Sequence, residues 1–207
     1  ISTVRHATIG IYLVIEVVFK LCRSTVNLAA TGRNPTKVLI FSFLFVILSG
    51  AGLLALPKSA SGENIGFVDA LFTSTSATCV TGLIVKDTGA DFSMPGQFVI
   101  LSLIQLGGLG IVVFGAVFAL LLGQALSLRE SVAMQDLLNA STLGRIGNMI
   151  AFIFLGTLFF EALGALGLYP MWDNVEGMDM GVCQKWFFSV FHSISAFCNA
   201  GFALLPD

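Results

Sequence analysis

Three long stretches of this sequence are almost free of charge, and they limit the folds that the chain can adopt. Val38–Leu56 has 19 residues, none of them charged. As an α-helix it would be about 28 Å long, close to the ~30 Å hydrocarbon core of a bilayer. Phe98–Gly123 is a second stretch, of 26 residues, and Ile150–Leu168 is a third, whose one charged residue is Glu161. The pattern predicts three membrane-spanning helices.

The composition agrees with a membrane protein. Hydrophobic residues make up 56% of the chain and charged residues 11%, and the mean hydropathy is +0.93. Because a soluble domain carries about 25% charged residues, a soluble chain of this composition could not cover its surface with polar groups. The predicted fold class is therefore an all-α integral membrane protein. A net charge of −2, with no basic run, gives no support for a nucleic-acid partner.

Two segments, one after the first stretch and one after the third, are too short and too polar to cross a bilayer alone. They are Ile65–Ala77 and Gln184–Ala196, and both are compatible with a helix. A re-entrant helix of this length is permitted in a membrane if protein or water surrounds its irregular end. The predicted order is span, half-span, span, linker, span, half-span.

Both half-spans lead into a repeated sequence motif. "FTSTSATCVTGL" at Phe72–Leu83 and "FHSISAFCNAGF" at Phe191–Phe202 align without a gap, identical at six of twelve positions and 119 residues apart. A helix that enters from outside and stops inside the membrane points the negative end of its dipole at the bilayer centre, which favours a cation. An internal repeat would place several such loops around one axis.

The residues after each half-span are predicted to return outward in extended form and to line that axis with backbone carbonyls. They are Thr78, Cys79, Val80, Thr81 and Gly82 in the first copy, and Cys198, Asn199, Ala200 and Gly201 in the second. Because carbonyl oxygens can replace the hydration shell of K⁺, these residues are the predicted K⁺ ligands. The two glycines would supply a positive φ or a close backbone approach. The alternative is a pair of polar interhelical turns with small residues for close packing.

Basic residues in short loops predict the orientation of the chain. The ends predicted to face the cytoplasm carry Lys20, Arg23, Arg33, Lys37, Arg129 and Arg145. The opposite side carries seven acidic residues, namely Glu63, Asp69, Asp87, Asp91, Asp173, Glu176 and Asp179, against three basic ones. This excess predicts a negative outer vestibule that concentrates cations. The alternative is that outer loops merely lack Lys and Arg.

The motifs resemble those of the Trk/Ktr/HKT superfamily of potassium transporters. "SATCVTGL", "GQFVILSLIQLGGLGIVVFG" and "FHSISAFCNAGF" are most similar to bacterial Ktr and TrkH-type pore subunits, and the resemblance runs from about Pro35 to the last residue. It implies four M1–P-loop–M2 units around a pseudo-fourfold axis, each giving one glycine to the filter. Gly82 and Gly201 match the signature glycines of the first and second units. Glycine at position 82 implies a preference for K⁺ over Na⁺, whereas Cys198 stands where asparagine is usual.

Four parts of the chain follow from this resemblance. Residues 1–34 are a membrane-proximal or partial transmembrane segment, in which Ala7–Phe19 either spans the membrane or lies at its surface. Residues 35–123 are the first M1–P–M2 unit, 124–149 a cytoplasmic linker helix, and 150–207 the M1 and P loop of the second unit. Four units at the observed offset predict a pore subunit of about 480 residues, so two further units are expected outside this chain.

The predicted function is potassium uptake across the plasma membrane, the inner membrane of a bacterium, with the filter loops facing outward. No catalytic residue and no cofactor is expected in this chain, and K⁺ is the transported ion. The resemblance implies a homodimer with a cytoplasmic nucleotide-binding regulatory subunit. Open alternatives are a sodium or mixed monovalent cation transporter of the same superfamily, a secondary transporter with re-entrant loops, an intramembrane enzyme and a non-conducting scaffold subunit.

Several other polar or small residues allow two interpretations. The glycines of "QLGGLG", Gln105–Gly110, are predicted to let the M2 backbone approach a pore helix, with contact to the ion as the alternative. Glu161 inside a span implies a buried partner, with a role in coupling as the alternative. His192, which aligns with Thr73, is predicted to be a packed, hydrogen-bonded histidine rather than a proton relay or metal ligand. The four cysteines show no metal-ligand spacing.

Overall fold

The computed structural model describes residues 35–110, 146–174 and 180–205. Five α-helices lie in these ranges: α1 Pro35–Leu54, α2 Phe67–Thr78, α3 Met94–Leu109, α4 Ile146–Leu168 and α5 Val182–Phe197. Two 3₁₀ helices occupy Pro57–Ser59 and Tyr169–Asn174. The described residues form no β-strand, only an isolated antiparallel bridge between Ala60 and Phe92. The all-α prediction is confirmed for this part of the chain.

The chain divides into two compact units. One consists of Ile1–Ser49 and Leu109–Phe154, and the other of Gly50–Gly108 and Leu155–Asp207. Helices α1 and α4 each contribute residues to both units. Every residue predicted to bind an ion belongs to the second unit.

In the first unit, α1 exposes apolar side chains. Ile40 and Phe41 are 58% and 61% exposed, whereas Val46 is buried. The hydroxyl of Ser49 donates to the carbonyl oxygen of Phe45 at 2.7 Å, so its polar group is satisfied inside the helix. An apolar exterior with internally satisfied polar groups suits a lipid environment.

Helix α4 is the best candidate for a membrane span. Together with the 3₁₀ turn after it, the apolar segment Ile150–Asp173 has 24 residues and is the one helix of the described part that is long and apolar enough to cross a bilayer. The apolar helical segments Ile40–Leu54 and Met94–Leu109 are shorter. The predicted second span, Phe98–Gly123, lies beyond the described residues after Gly110.

In the second unit, each short helix packs against a glycine of a longer one. A Cβ atom added to Gly50 of α1 would collide with the hydroxyl of Ser74 in α2. A Cβ atom added to Gly164 of α4 would collide with the hydroxyl of Ser193 in α5. Small residues thus allow both pairs of helices to approach closely, as is common for helices packed in membranes.

Hydrogen bonds hold the loops around the start of α3 together. The amide of Ser93 donates to the carbonyl oxygen of Ser59 at 3.0 Å, next to the bridge at Phe92. The buried amide group of Gln97 donates to the carbonyl oxygens of Phe92 at 2.9 Å and of Gly89 at 3.3 Å. The segment that connects α2 to α3 is therefore fixed at several points.

Candidate ion-binding site

Helices α2 and α5 end with the same change of backbone direction. In each, the C-cap residue still has near-helical angles, with φ −86° and ψ 1° at Cys79, and φ −75° and ψ −5° at Cys198. The next residue enters the left-handed region, with φ 55° at Val80 and 57° at Asn199. The prediction of extended backbone is therefore wrong for these residues and for Thr78, which is the last residue of α2.

The reason is a hydrogen-bonded cap at each helix end. The amide of Val80 donates to the carbonyl oxygen of Ala77 at 3.2 Å, and the amide of Thr81 donates to that of Ser76 at 2.8 Å. The equivalent bonds in the second loop join residues 119 positions further on and are 3.0 and 2.7 Å long. This pair of bonds is the Schellman motif, which requires a left-handed residue and satisfies carbonyls at the end of the helix.

The two left-handed residues differ in how well they tolerate this conformation. Asparagine visits the left-handed region readily, because its short polar side chain can form local hydrogen bonds. A β-branched residue such as Val80 is a genuine outlier there, and strain of this kind costs about 1–3 kcal/mol. Because residues under such strain cluster at functional sites, Val80 points to a functional loop.

The two predicted filter glycines both have a positive φ, and they lie side by side. The φ angles are 80° at Gly82 and 73° at Gly201, as expected from the sequence. A Cβ atom added to Gly82 would lie 2.6 Å from the carbonyl oxygen of Ala200 and 3.2 Å from the Cα atom of Gly201. Two segments separated by 119 residues therefore meet backbone to backbone within the second unit.

The carbonyl oxygens of all nine predicted ligands are available. Within the described part of the chain, no backbone hydrogen bond is accepted by the carbonyls of Thr78, Cys79, Val80, Thr81, Gly82, Cys198, Asn199, Ala200 or Gly201. Backbone carbonyls require a partner when they are not solvated. A monovalent cation that has shed part of its water shell supplies such a partner.

Two glycines of α3 leave room for the capped helix ends. A Cβ atom added to Gly107 would collide with the carbonyl oxygen of Thr78, and one added to Gly108 would collide with the thiol of Cys198. The packing interpretation is confirmed for these two glycines. Gly110 has φ 77° instead, and a Cβ atom added to it would meet no atom of the described residues within 4 Å, so its part in packing stays a prediction.

The buried partner predicted for Glu161 is Gln105. Glu161 is 5% exposed, and the Gln105 amide group donates to its two carboxylate oxygens at 2.9 and 3.1 Å. The hydroxyl of Ser193 donates to the backbone carbonyl of Glu161 at 2.6 Å. This cluster joins α3, α4 and α5 behind the second loop.

His192 is packed and hydrogen-bonded, as predicted. Its Nδ1 lies 2.8 Å from the carbonyl oxygen of Phe188, and its Nε2 lies 3.2 Å from the amide nitrogen of Leu204. The ring of Trp172 lies 5.1 Å away, centroid to centroid. The described residues hold no group of three or more His, Cys, Asp or Glu side chains suited to a metal ion.

Several acidic residues assigned to the outer vestibule have structural partners. A carboxylate oxygen of Asp87 accepts from the amides of Gly89 and Ala90 at 2.7 and 2.9 Å, and a carboxylate oxygen of Asp91 accepts from the amide of Asp87 at 2.8 Å. Asp173 forms an ion pair with Lys185. These carboxylates therefore shape loops as well as adding negative charge. Glu176 and Asp179 lie outside the described residues.

The class that these features define is an all-α protein with one helix suited to a membrane span and two repeated, capped helix ends that meet backbone to backbone. More particularly, the chain belongs to the TrkH family: the model of this family, described as cation transport protein, matches residues 5–207. The family predicted from the sequence motifs is therefore confirmed.

Curated relatives agree with this assignment. The chain is 42% identical over 174 residues to the Ktr system potassium uptake protein B of Bacillus subtilis, and 41% identical over 179 residues to the protein of the same name from Vibrio alginolyticus. It is 35% identical over 175 residues to the potassium/sodium uptake protein NtpJ of Enterococcus hirae. These matches cover 84%, 86% and 84% of this chain, but 38% of each relative, so the chain spans well under half of their length.

Sequence reasoning missed three features of the site. The Schellman caps at Val80 and Asn199 have no glycine at the left-handed position, which is the usual signal for this motif. The pairing of Gln105 with Glu161 joins residues 56 positions apart on different helices. The bond between His192 and Leu204 depends on the path of the chain after the loop. Only the first had a local signal, since asparagine is the second choice after glycine at such a position.

Proposed function

We propose that this chain provides two of the four quadrants of a selectivity filter through which potassium ions are taken up across the plasma membrane. The ligands are the backbone carbonyls after α2 and α5. The observation that carries this proposal is the pair of capped loops, identical in hydrogen bonding and in left-handed positions, with Gly82 and Gly201 in backbone contact.

The helices fit two successive M1–P–M2 units. In the first M1–P–M2 repeat, residues 35–123, α1 is M1, α2 is the pore helix and α3 begins M2. In the second, residues 150–207, α4 is M1 and α5 is the pore helix. Residues 1–34 and 124–145, proposed as the N-terminal segment and most of the cytoplasmic linker, lie outside the described residues, and residues 146–149, counted with the linker, begin α4. Two more units of the same kind complete a pseudo-fourfold ring.

The chemistry of the loops favours the binding of a cation and does not require a tight binding pocket. Each pore helix directs the negative end of its dipole toward the loop that follows it. Carbonyl oxygens exchange with the water shell of K⁺ at little cost, and glycine keeps the passage free of side chains. Conduction then follows the electrochemical gradient, and no covalent step or cofactor is required.

Potassium is the favoured ion. Two relatives are named as potassium uptake proteins, and glycine rather than serine at position 82 agrees with K⁺ preference within this superfamily. Sodium or mixed transport is the second candidate, because NtpJ is named as a potassium/sodium uptake protein. Its 35% identity over a similar part of the chain keeps this candidate relevant.

The partners and the orientation follow from the same relationship. Two of these relatives are named as parts of a Ktr system, which supports further subunits. We propose a homodimer in the plasma membrane with a cytoplasmic nucleotide-binding regulatory subunit and with the filter loops facing outward. A secondary transporter with re-entrant loops is less well supported, because its half-helices often point N-termini at the substrate. Here the free carbonyls follow helix C-termini.

Uptake of radioactive Rb⁺ by potassium-auxotrophic cells that express the full-length protein tests this function. Gly82→Arg is expected to abolish uptake, because the side chain would enter the space between the two loops. Gly62→Arg is the matched control, since Gly62 is exposed and a Cβ atom added to it would meet no atom of the described residues within 4 Å. Wild-type uptake by Gly82→Arg, with the protein present in the membrane, would overturn the filter assignment. Equal competition by Na⁺ and K⁺ would overturn the ion preference.

A further inference from the structure

The two filter loops have the same backbone conformation. They differ in how their outgoing segments, the residues that follow Gly82 and Gly201, are attached. After the second loop, Phe202 and Leu204 are 3% and 1% exposed. At the equivalent positions after the first loop, Leu83 and Val85 are 59% and 48% exposed. The second outgoing segment is therefore packed against other described residues, whereas the side chains of Leu83 and Val85 in the first are exposed within the described part of the chain.

Two side chains of α5 hold the second outgoing segment. The hydroxyl of Ser195 donates to the carbonyl oxygen of Phe202 at 2.7 Å. The amide of Leu204 donates to Nε2 of His192 at 3.2 Å. Because Nε2 accepts this bond, the ring proton lies on Nδ1, which donates to the carbonyl oxygen of Phe188 at 2.8 Å. The neutral ring thus links the pore helix to the segment that leaves the filter.

Among the described residues, the first loop shows no such attachment, although its pore helix has hydroxyls at the same two positions. Thr73 aligns with His192, and Ser76 aligns with Ser195. Both hydroxyl groups are buried, and within the described part of the chain neither has a hydrogen-bond partner. One pair of equivalent positions therefore forms two bonds to the outgoing segment, and the other pair forms none.

The second outgoing segment is also held from its other side. A Cβ atom added to Gly89 would collide with the carbonyl oxygen of Leu204. The backbone of Gly89 is itself fixed by Asp87, whose carboxylate accepts its amide at 2.7 Å, and by Gln97. Leu204 is thus enclosed between His192 and a loop of the first repeat. Together with the bond from Ser195 to Phe202, these contacts form a clamp that stiffens the second quadrant.

We propose that His192 and Ser195 are positioning residues for the second quadrant of the filter, and that this clamped quadrant sets the discrimination between K⁺ and Na⁺. The inference rests on the proposed function. A carbonyl ring that rejects the smaller ion must resist closing around it. A loop with hydrogen bonds at Phe202 and Leu204 resists this better than a loop for which the described residues show no such bonds at Leu83 and Val85. The two residues touch backbone atoms and act on the ion only through the loop.

Matched substitutions in the full-length protein test the proposal. Ser195→Ala removes a bonded hydroxyl, and Ser76→Ala removes an unbonded one from the equivalent position. His192→Thr installs the residue of the first repeat, His192→Gln keeps an acceptor for the Leu204 amide, and Thr73→Val is the control. The K⁺/Na⁺ ratio from competition against Rb⁺ uptake is expected to fall about threefold or more in Ser195→Ala and His192→Thr, the factor that one typical hydrogen bond represents. It should be unchanged in Ser76→Ala and Thr73→Val, and largely restored in His192→Gln.

Hydrogen exchange on the purified full-length protein provides a readout that does not depend on transport. The peptide containing Leu204 should exchange faster in His192→Thr and Ser195→Ala than in wild type, His192→Gln or the two controls. Unchanged exchange and an unchanged ion ratio in the clamp variants would overturn the inference, as would equal effects of Ser76→Ala and Ser195→Ala. Absence of Rb⁺ uptake by the wild type would instead refute the proposed function, while leaving the exchange result interpretable.

Discussion

Gly82 and Gly201 lie backbone to backbone, but the space that each leaves for a side chain is unequal. A Cβ atom on Gly82 would lie 2.6 Å from the carbonyl oxygen of Ala200, whereas a Cβ atom on Gly201 would lie 3.3 Å from the Cα atom of Gly82. The first contact requires backbone to move, and the second requires a shift of a few tenths of an ångström. The two glycines of one candidate filter therefore have different tolerance to substitution.

Gly82→Ala is expected to impair transport more than Gly201→Ala. Both variants place a side chain at a left-handed residue, which costs about 1–2 kcal/mol. Only Gly82→Ala adds a backbone collision, and overpacking of that kind costs about 1–3 kcal/mol more. Rb⁺ uptake should fall at least tenfold in Gly82→Ala and less in Gly201→Ala, since about 1.4 kcal/mol corresponds to a factor of ten. The reverse order of the two variants would contradict this geometry.

Exchange of the left-handed residues should change stability in opposite directions. Val80→Asn places a tolerant residue at a strained position and is expected to stabilise the protein by about 1 kcal/mol. Asn199→Val makes the opposite change and should destabilise it by a similar amount. Thermal unfolding of both full-length variants in detergent checks the prediction. A loss of stability in Val80→Asn would show that the valine side chain contributes more by packing than it costs in strain.

Gly107→Ala should destabilise the protein, because its Cβ atom would collide with the carbonyl oxygen of Thr78. The expected cost is about 1–3 kcal/mol, and the filter loop next to Thr78 should be displaced with it. Gly52→Ala is the control, because a Cβ atom added to Gly52 in α1 would meet no atom of the described residues within 4 Å. That control should be neutral or stabilising by up to about 1 kcal/mol. Equal unfolding temperatures for the two variants would refute the close contact.

The pair of Glu161 and Gln105 should show measurable coupling. In a double-mutant cycle of Glu161→Ala and Gln105→Ala, the coupling energy is expected to be about 0.6–1.7 kcal/mol, the range typical of hydrogen bonds between membrane helices. Either single variant leaves a buried polar group without its partner, so the double variant should cost less than the sum of the two. Additive effects on the unfolding temperature would show that the pair contributes no joint stability.

Much of the fold followed from local sequence patterns. The uncharged stretches predicted α1 and α4, because a helix that exposes its side chains to lipid needs apolar residues on that face. The two half-spans predicted α2 and α5, and the glycines that end the repeated motif predicted the positive φ of Gly82 and Gly201. Each of these features depends on residues close together in the sequence.

The parts that could not be predicted depend on contacts between distant residues. The extended form expected after Thr78 was wrong, because the helix closes with a Schellman cap whose left-handed residue is valine rather than glycine. The clamp at Leu204 was not predictable either. Thr73 and His192 align, and only the packing of the following segment decides that the histidine forms a bond to it.

The most direct measurement is the anomalous diffraction of Tl⁺ or Rb⁺ in crystals of the full-length protein. The proposed filter predicts a peak on the axis, within about 3 Å of carbonyl oxygens from both Val80–Gly82 and Asn199–Gly201. The same peak should be lost in Gly82→Arg. A protein that transports Rb⁺ but shows its ion peaks away from both loops would contradict the assignment of these carbonyls to the filter.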